Sequence, residues 1–209
     1  MMTIKNALCR FARWQFLQDC RAVVTVEFAL LSVPLVVMVI GSFDFAYQVY
    51  LKTVVQGALN DVSRTASLEA PDLECKTGTL PEKVQCAIKR RSDVVARDAT
   101  YAVRIRNFYD FSTVGRSEKL VTDYNNNGVY DAGDCFVDLN ENGRFDTDAG
   151  RDGVGGADDV SYYTVTVTMP RLFPLDKFLP LSPNYEITGG TALRNQPYAR
   201  QRIPPTVCV

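Results

Sequence analysis

AVVTVEFALLSVPLVVMVIGSF, residues 22–43, is the stretch on which the architecture turns. It carries a single charge, Glu27. At about 1.5 Å of rise per residue, a helix of that run crosses a hydrocarbon core of about 30 Å. Before it, residues 1–21 hold Lys5, Arg10, Arg13 and Arg21 against Asp19. After it, Asp44, Lys52, Asp61 and Arg64 balance one another. Basic flanks stay in the cytoplasm. The expectation is therefore a single-pass chain, residues 1–21 cytoplasmic and the rest outside. The basic stretch is long for a secretory signal, and no A-x-A site follows at the right distance. A retained membrane helix is the preferred reading.

No proline interrupts residues 44–70. Tyr47, Tyr50, Val54, Ala58, Val62 and Ala66 recur every three or four residues and predict one apolar stripe. The stripe is either a partner surface or, as is usual, the seam onto the chain's own domain. A helix from about Val23 to about Glu69 would be roughly 70 Å long. Tyr47 and Tyr50 fall where an interfacial aromatic belt belongs.

Beyond Pro71 the signals are those of a small α+β domain. Pro81 and Glu82 open a predicted helix over 81–97. The segment 99–108 alternates Tyr101, Val103 and Ile105 against Arg104 and Arg106, as a half-buried strand does. Tyr163, Val165, Val167 and Met169 alternate with threonines and predict a strand over 161–170. A further strand is predicted over 185–194, with Gly189–Gly190 as a bulge or turn. The tail, QPYARQRIPPTVCV, reads as irregular. The domain plan is thus a leader over 1–22, a long helix over 23–70, and an extracytoplasmic α+β domain over 71–209 with an Asp/Asn/Gly-rich insertion at 120–160.

Composition narrows the chemistry. There is no histidine, which excludes His-based acid–base catalysis, His-activated nucleophiles and His-ligated zinc. A net charge of −1 offers no basic field for nucleic acid. Of the six cysteines, Cys9 and Cys20 precede the apolar run, while Cys75, Cys86, Cys135 and Cys208 follow it. No CxxC spacing occurs, and four cysteines beyond a membrane suit two disulfides in an oxidising space. Three pairings are open. The short loop between the first two makes Cys75–Cys86 with Cys135–Cys208 the preferred one.

Residues 123–159 carry ten acidic side chains against two arginines. Within them a pattern repeats. Asp123, Asn125, Asn127, Gly128, Asp131 and Asp134 fill positions 1, 3, 5, 6, 9 and 12 of a calcium-loop spacing. Asp138, Asn140, Asn142, Gly143 and Asp146 repeat positions 1, 3, 5, 6 and 9. Alternating oxygens converge on one hard cation, glycine at position 6 permits the sharp turn, and position 7 (Val129, Arg144) offers its carbonyl. The second loop has Ala149 at position 12, so Asp148 or an acid from 152–159 would have to substitute. No flanking helix pair is evident. The expectation is structural Ca²⁺ in loops without the EF-hand fold, tying down an insertion that lacks a core. A glycine-rich surface loop of Asx turns is the alternative. A hydrolytic metal site is disfavoured, because no base or nucleophile lies nearby in sequence.

The stretch RAVVTVEFALL, a small residue followed after four residues by Glu and Phe and a long apolar helix, resembles the class III signal of type IV pilin-like proteins. The resemblance implies cleavage by a prepilin peptidase after Ala22, making Val23 the new amino terminus and Glu27 the fifth residue. The new ammonium of one subunit would then neutralise the Glu of its neighbour. The family usually has Gly where Ala22 stands.

Residues 23–67 further resemble the amino-terminal helix of the TadE/TadF/TadG-like proteins of the tight-adherence (Flp) pilus system. The shared features are Glu27 to Leu30, Pro34, Gly41, Asp44 and Phe45. VTVTMPRLFP (165–174) and TALRNQPY (191–198) are similar to that family's closing strands. The resemblance implies a non-enzymatic pseudopilin or minor pilin-like protein of the bacterial inner membrane, single-pass, with its carboxy-terminal domain periplasmic. Its implied partners are the major Flp pilin, sister TadE/TadF-like proteins, the pilus assembly platform and the prepilin peptidase. The rival expectation is a membrane-anchored calcium-binding adhesion or surface protein that never enters a pilus.

Overall fold

The computed structural model describes residues 20–68, 71–177 and 179–209, with side-chain environments from Val24 onward. The basic leader up to Asp19, with Cys9, lies outside the described residues, and Ala22 and Val23 are placed by helical backbone alone. The chain divides into two compact units, 1–47 and 48–209.

One helix, α1 (Cys20–Ala66), contributes to both units. In the first unit its apolar side chains are bare: Val24, Phe28, Leu30, Leu31, Val33 and Met38 are all exposed. The helix is long and apolar enough to cross a membrane, and none of its most apolar window is buried. Pro34 sits inside it without ending it. Both serine hydroxyls in the run are absorbed by the helix itself, Ser32 Oγ donating to the Ala29 carbonyl and Ser42 Oγ to that of Met38. A polar side chain with no solvent or partner helix needs such an internal acceptor.

In the second unit α1 buries Leu51, Val55, Ala58, Leu59, Val62 and Ala66. Ala58, Val62 and Ala66 of the predicted stripe are among them, whereas Tyr50 is exposed and Val54 only half-buried, and Leu51, Val55 and Leu59 complete the seam. The second helix, α2 (Leu80–Ser92), starts with Thr79 N–H donating to Glu82 Oε2 at 2.7 Å. It buries Val84, Ala87 and Ile88. It stops before the predicted 97: Ser92 Oγ donates to the Ile88 carbonyl, and Val95 and Ala96 N–H both turn back onto the Ser92 carbonyl. Cys75 and Cys86 are disulfide-bonded, clipping the segment before α2 to its middle.

The main sheet runs β4-β1-β5-β6, with β1 (Thr100–Phe108), β4 (Arg151–Asp152), β5 (Val160–Pro170) and β6 (Asn184–Arg194). All its pairings are antiparallel. Tyr101 and Ile105 of β1, and Tyr163, Val165, Val167 and Met169 of β5, are buried as the alternation predicts. The β5–β6 register runs unbroken from Val160↔Arg194 to Pro170↔Asn184, so Gly189 and Gly190 are neither bulge nor turn. They make room instead. A Cβ on Gly189 would lie 2.9 Å from Gln56 Oε1, and Gln56 Nε2 donates to the Gly190 carbonyl at 3.1 Å. Gly189 lets α1 lie close on β6, and Gly190 makes room for the Tyr162 hydroxyl on β5.

A second sheet, β2-β3-β7, joins β2 (Lys119–Thr122), β3 (Cys135–Val137) and β7 (Thr206–Cys208). The tail is therefore not wholly irregular: β7 pairs with β3, Cys135↔Cys208, and a disulfide joins those two residues. A three-residue strand in a Pro-rich tail gives no periodic signal. The class is α+β, a long helix and a short one with small antiparallel sheets.

Candidate functional site

The Asp/Asn/Gly repeat forms two loops around the small sheet. The first, 123–134, connects β2 to β3; the second, 138–149, leaves the far end of β3. Their backbones take the same special turns. Position 4 has a positive φ in both, 55° at Asn126 and 59° at Glu141, and so does position 6, 76° at Gly128 and 74° at Gly143. Glycine meets the second requirement at no steric cost, while Asn tolerates the first better than most residues.

The side chains repeat as closely. Asp123 Oδ2 accepts Gly128 N–H, and Asp138 Oδ2 accepts Gly143 N–H, both at 2.7 Å. Asn125 Oδ1 accepts Asn127 N–H, as Asn140 Oδ1 accepts Asn142 N–H. Asn127 Oδ1 takes Val129 N–H and Asn142 Oδ1 takes Arg144 N–H, at 2.7 and 2.8 Å. The asparagines at positions 3 and 5 of each loop then donate Nδ2 to one oxygen of the position-9 aspartate, Asp131 Oδ2 and Asp146 Oδ2. These two donors hold the Asp131 carboxyl below the usual range, Asn125 more than Asn127.

Between the loops lies an aromatic group. Tyr130 and Phe145, at position 8 of each loop, stack with centroids 4.4 Å apart and planes 6° from parallel. Phe136 of β3 meets both edge-on at 5.5 Å. Two loops without a core of their own thus acquire a small one.

Glu118, the residue before β2, is 2% exposed. Its Oε1 accepts Leu139 N–H at 2.7 Å and Asn140 N–H at 3.4 Å, and its Oε2 accepts Asp146 N–H at 3.1 Å. Burial pushes its carboxyl above the ordinary range, against the pull of those amides. Antiparallel pairing of Lys119 with Val137 sets the start of β2 beside the start of the second loop. A forward search from Ala149 for a missing acid passes this residue by, because the fold delivers it from upstream.

The charges of the insertion divide by position. Glu141 pairs with Arg202 and Arg151, Asp148 with Arg106, Asp158 with Arg194, and Asp159 with Arg202. Among the described residues, Asp123, Asp131, Asp134, Asp138 and Asp146, the acids at positions 1, 9 and 12, form no ion pair. Asp134 and Asp138 are each 2% exposed. Asp123 Oδ1 is shut off from solvent and has no hydrogen-bond partner. Asp148 is drawn toward Arg106, whose hydrogen bond holds its carboxyl below the usual range. Among the described residues no three His, Cys, Asp or Glu side chains converge as a metal-holding group. The asparagine amides at positions 3 and 5 supply much of each loop's inward polar surface.

Glu27, by contrast, stands alone on the exposed apolar face of α1, with no ion pair among the described residues. Residues 22–64 match the family of TadE-like proteins. That match covers α1 almost entirely and leaves 165–174 and 191–198 outside it. No curated protein and no solved structure matches the chain.

Proposed function

We propose that this chain, TadE-like over its amino-terminal helix, is a membrane-anchored pseudopilin or minor pilin-like component that assists assembly of the Flp pilus. The observation that carries the reading is the match over 22–64, on a helix whose apolar surface is bare around a single acid. An unpaired carboxylate among exposed apolar residues is costly in lipid. It gains a partner if processing after Ala22 gives Val23 a free ammonium and a neighbouring subunit brings it alongside. The role is one of assembly rather than catalysis. The membrane would be the bacterial inner membrane, with residues 1–21 cytoplasmic and the folded unit periplasmic. Its partners there are the major pilin, sister TadE/TadF-like proteins, the assembly platform and the prepilin peptidase.

We further propose that the two loops bind structural Ca²⁺. Five carboxylates at the ligand positions have no ion pair among the described residues, whereas four of the other five acids of the insertion each meet an arginine. Asp123 Oδ1 is a buried oxygen in need of a partner. An arriving cation would displace the asparagine amides from Asp131 and Asp146, the amides turning to present Oδ1. Cys135, between the loops, adds the covalent tether.

Mass spectrometry of the intact chain, expressed with and without the prepilin peptidase, tests the main reading. A mature amino terminus at Val23 only when the peptidase is present supports it. Intact residues 1–21 in a strain with a working pilus system would favour a membrane-anchored calcium-binding surface protein instead.

A further inference from the structure

We propose that Glu118 supplies the second loop with the calcium-binding carboxylate that its twelfth position lacks. The inference rests on the calcium reading above and deepens it.

The first loop shows what that carboxylate does. Asp134, at position 12, bridges two backbone amides: Oδ1 accepts Tyr124 N–H (position 2) at 3.1 Å, and Oδ2 accepts Asp131 N–H (position 9) at 2.9 Å. It closes the loop by holding its beginning to its end. The second loop has Ala149 in that place, 1% exposed and without an oxygen on its side chain. Glu118 performs the same bridge there. Its Oε1 accepts Leu139 N–H (position 2) and its Oε2 accepts Asp146 N–H (position 9). Two carboxylates from unrelated places in the sequence meet the same two amides of two repeated loops, one oxygen to each.

Asp148, the nearer candidate in sequence, is engaged elsewhere, by Arg106 and by Gly150 N–H. The longer reach of Glu over Asp suits a residue that must come from the neighbouring strand. Its reach is fixed by the Lys119↔Val137 pairing and by Glu118 N–H donating to the Asp146 carbonyl at 3.0 Å.

Three observations around the insertion, the second of them from the first loop, favour a cation over a cluster of acids at rest. Glu118 is almost fully buried and meets no arginine or lysine among the described residues. A buried carboxylate without a counter-charge is strongly disfavoured. The partnerless Asp123 Oδ1 belongs to a residue lining the same open cavity as Glu118, together with Gly128, Val129, Tyr130 and Phe145. The arginines of this region pair only with acids outside the ligand pattern.

The test is calorimetric titration of calcium chloride into the full chain in detergent micelles. The wild type is expected to bind two ions. Glu118→Gln, with its fold checked by circular dichroism in chelator, should weaken one of them by about tenfold or more. Asp134→Asn should weaken the other. Glu118→Asp keeps the charge and shortens the reach, and should weaken the same ion as Glu118→Gln by a smaller factor. If Glu118→Gln does not fold, this variant decides alone. Two ions bound with unchanged affinity in the folded Glu118 variants would overturn the Glu118 assignment and leave the calcium reading standing. A single wild-type ion that survives Glu118 substitution would do the same. No calcium bound by the wild type would overturn both.

Discussion

Tyr130 and Phe145 stack at 4.4 Å, each contributed by the eighth position of its own loop. The contact makes the two loops one mechanical unit, with the fully buried Phe136 ring at their edge. Phe145→Ala is expected to lower the unfolding free energy by about 1–3 kcal/mol, less than a fully buried ring because both stacked residues are half-buried. A double-mutant cycle with Tyr130→Ala should return a coupling of about 0.5–1.5 kcal/mol, read from urea denaturation. Additive effects would mean that the stack joins nothing.

Calcium removal should loosen this unit before the main sheet. At a free ion concentration one hundred times the dissociation constant, binding contributes about 2.7 kcal/mol per site. With both sites emptied, chelation should lower the melting temperature of the folded unit by about 10–20 °C. It should also open residues 123–148 to limited proteolysis while β5 and β6 remain protected from hydrogen exchange. Identical melting curves with calcium and with chelator would count against the ion.

The two disulfides should differ in worth. Cys135–Cys208 spans a sequence separation of 73, Cys75–Cys86 one of 11. On loop-closure entropy these correspond to about 4.5 and about 3 kcal/mol. Cys208→Ser paired with Cys135→Ser should therefore shift the urea midpoint further than the Cys75/Cys86 double variant. The reverse order would show that strain or residual structure outweighs chain entropy here.

Gly150 packs where no side chain fits: an added Cβ would meet Phe108 Cε1 and Cζ at 2.6 Å and Arg106 Nη2 at 2.8 Å. Gly150→Ala should destabilise the unit by about 1–3 kcal/mol and disturb the Arg106–Asp148 pair. Gly57→Ala, with nothing within 4 Å, is the control and should be neutral or slightly stabilising. Equal effects at the two positions would refute the packing argument.

The seam of α1 is testable in the same way. Leu59→Ala removes a fully buried side chain and should cost about 2–5 kcal/mol. Tyr50, 56% exposed, should cost within about 0.5 kcal/mol when replaced by alanine. If Tyr50→Ala proved the costlier, the seam would lie where periodicity alone had put it.

What the sequence revealed and what it hid follow from the physics of each signal. A long apolar run and an alternation of Val and Thr are local patterns, so β1, β5 and β6 could be read within a residue and α1 within about three at each end. On α1 the stripe residues Ala58, Val62 and Ala66 are buried as the period predicts, but Leu51 and Val55 stand in the core in place of Tyr50 and Val54, because residues one step apart satisfy a helical period equally. Gly189 and Gly190 suggested a break, since a glycine's reason in a strand is often across the sheet rather than along it. Residues Thr206 to Cys208 were invisible as a strand because their partner lies far upstream. Glu118 was missed for the same reason. The loop spacing named eleven of its own residues as candidates, but only strand pairing could bring in a carboxylate from outside the repeat.

The lateness of β7 has a consequence for how the folded unit comes into being. During synthesis β2 and β3 emerge well before Thr206–Cys208, so the small sheet begins as a bare two-stranded ribbon, which is marginal in water. Its third strand and its thiol partner arrive together, on the same three residues. Oxidation of Cys135 therefore acts as a latch that can close only once Thr206–Cys208 has been made, after the two strands it secures.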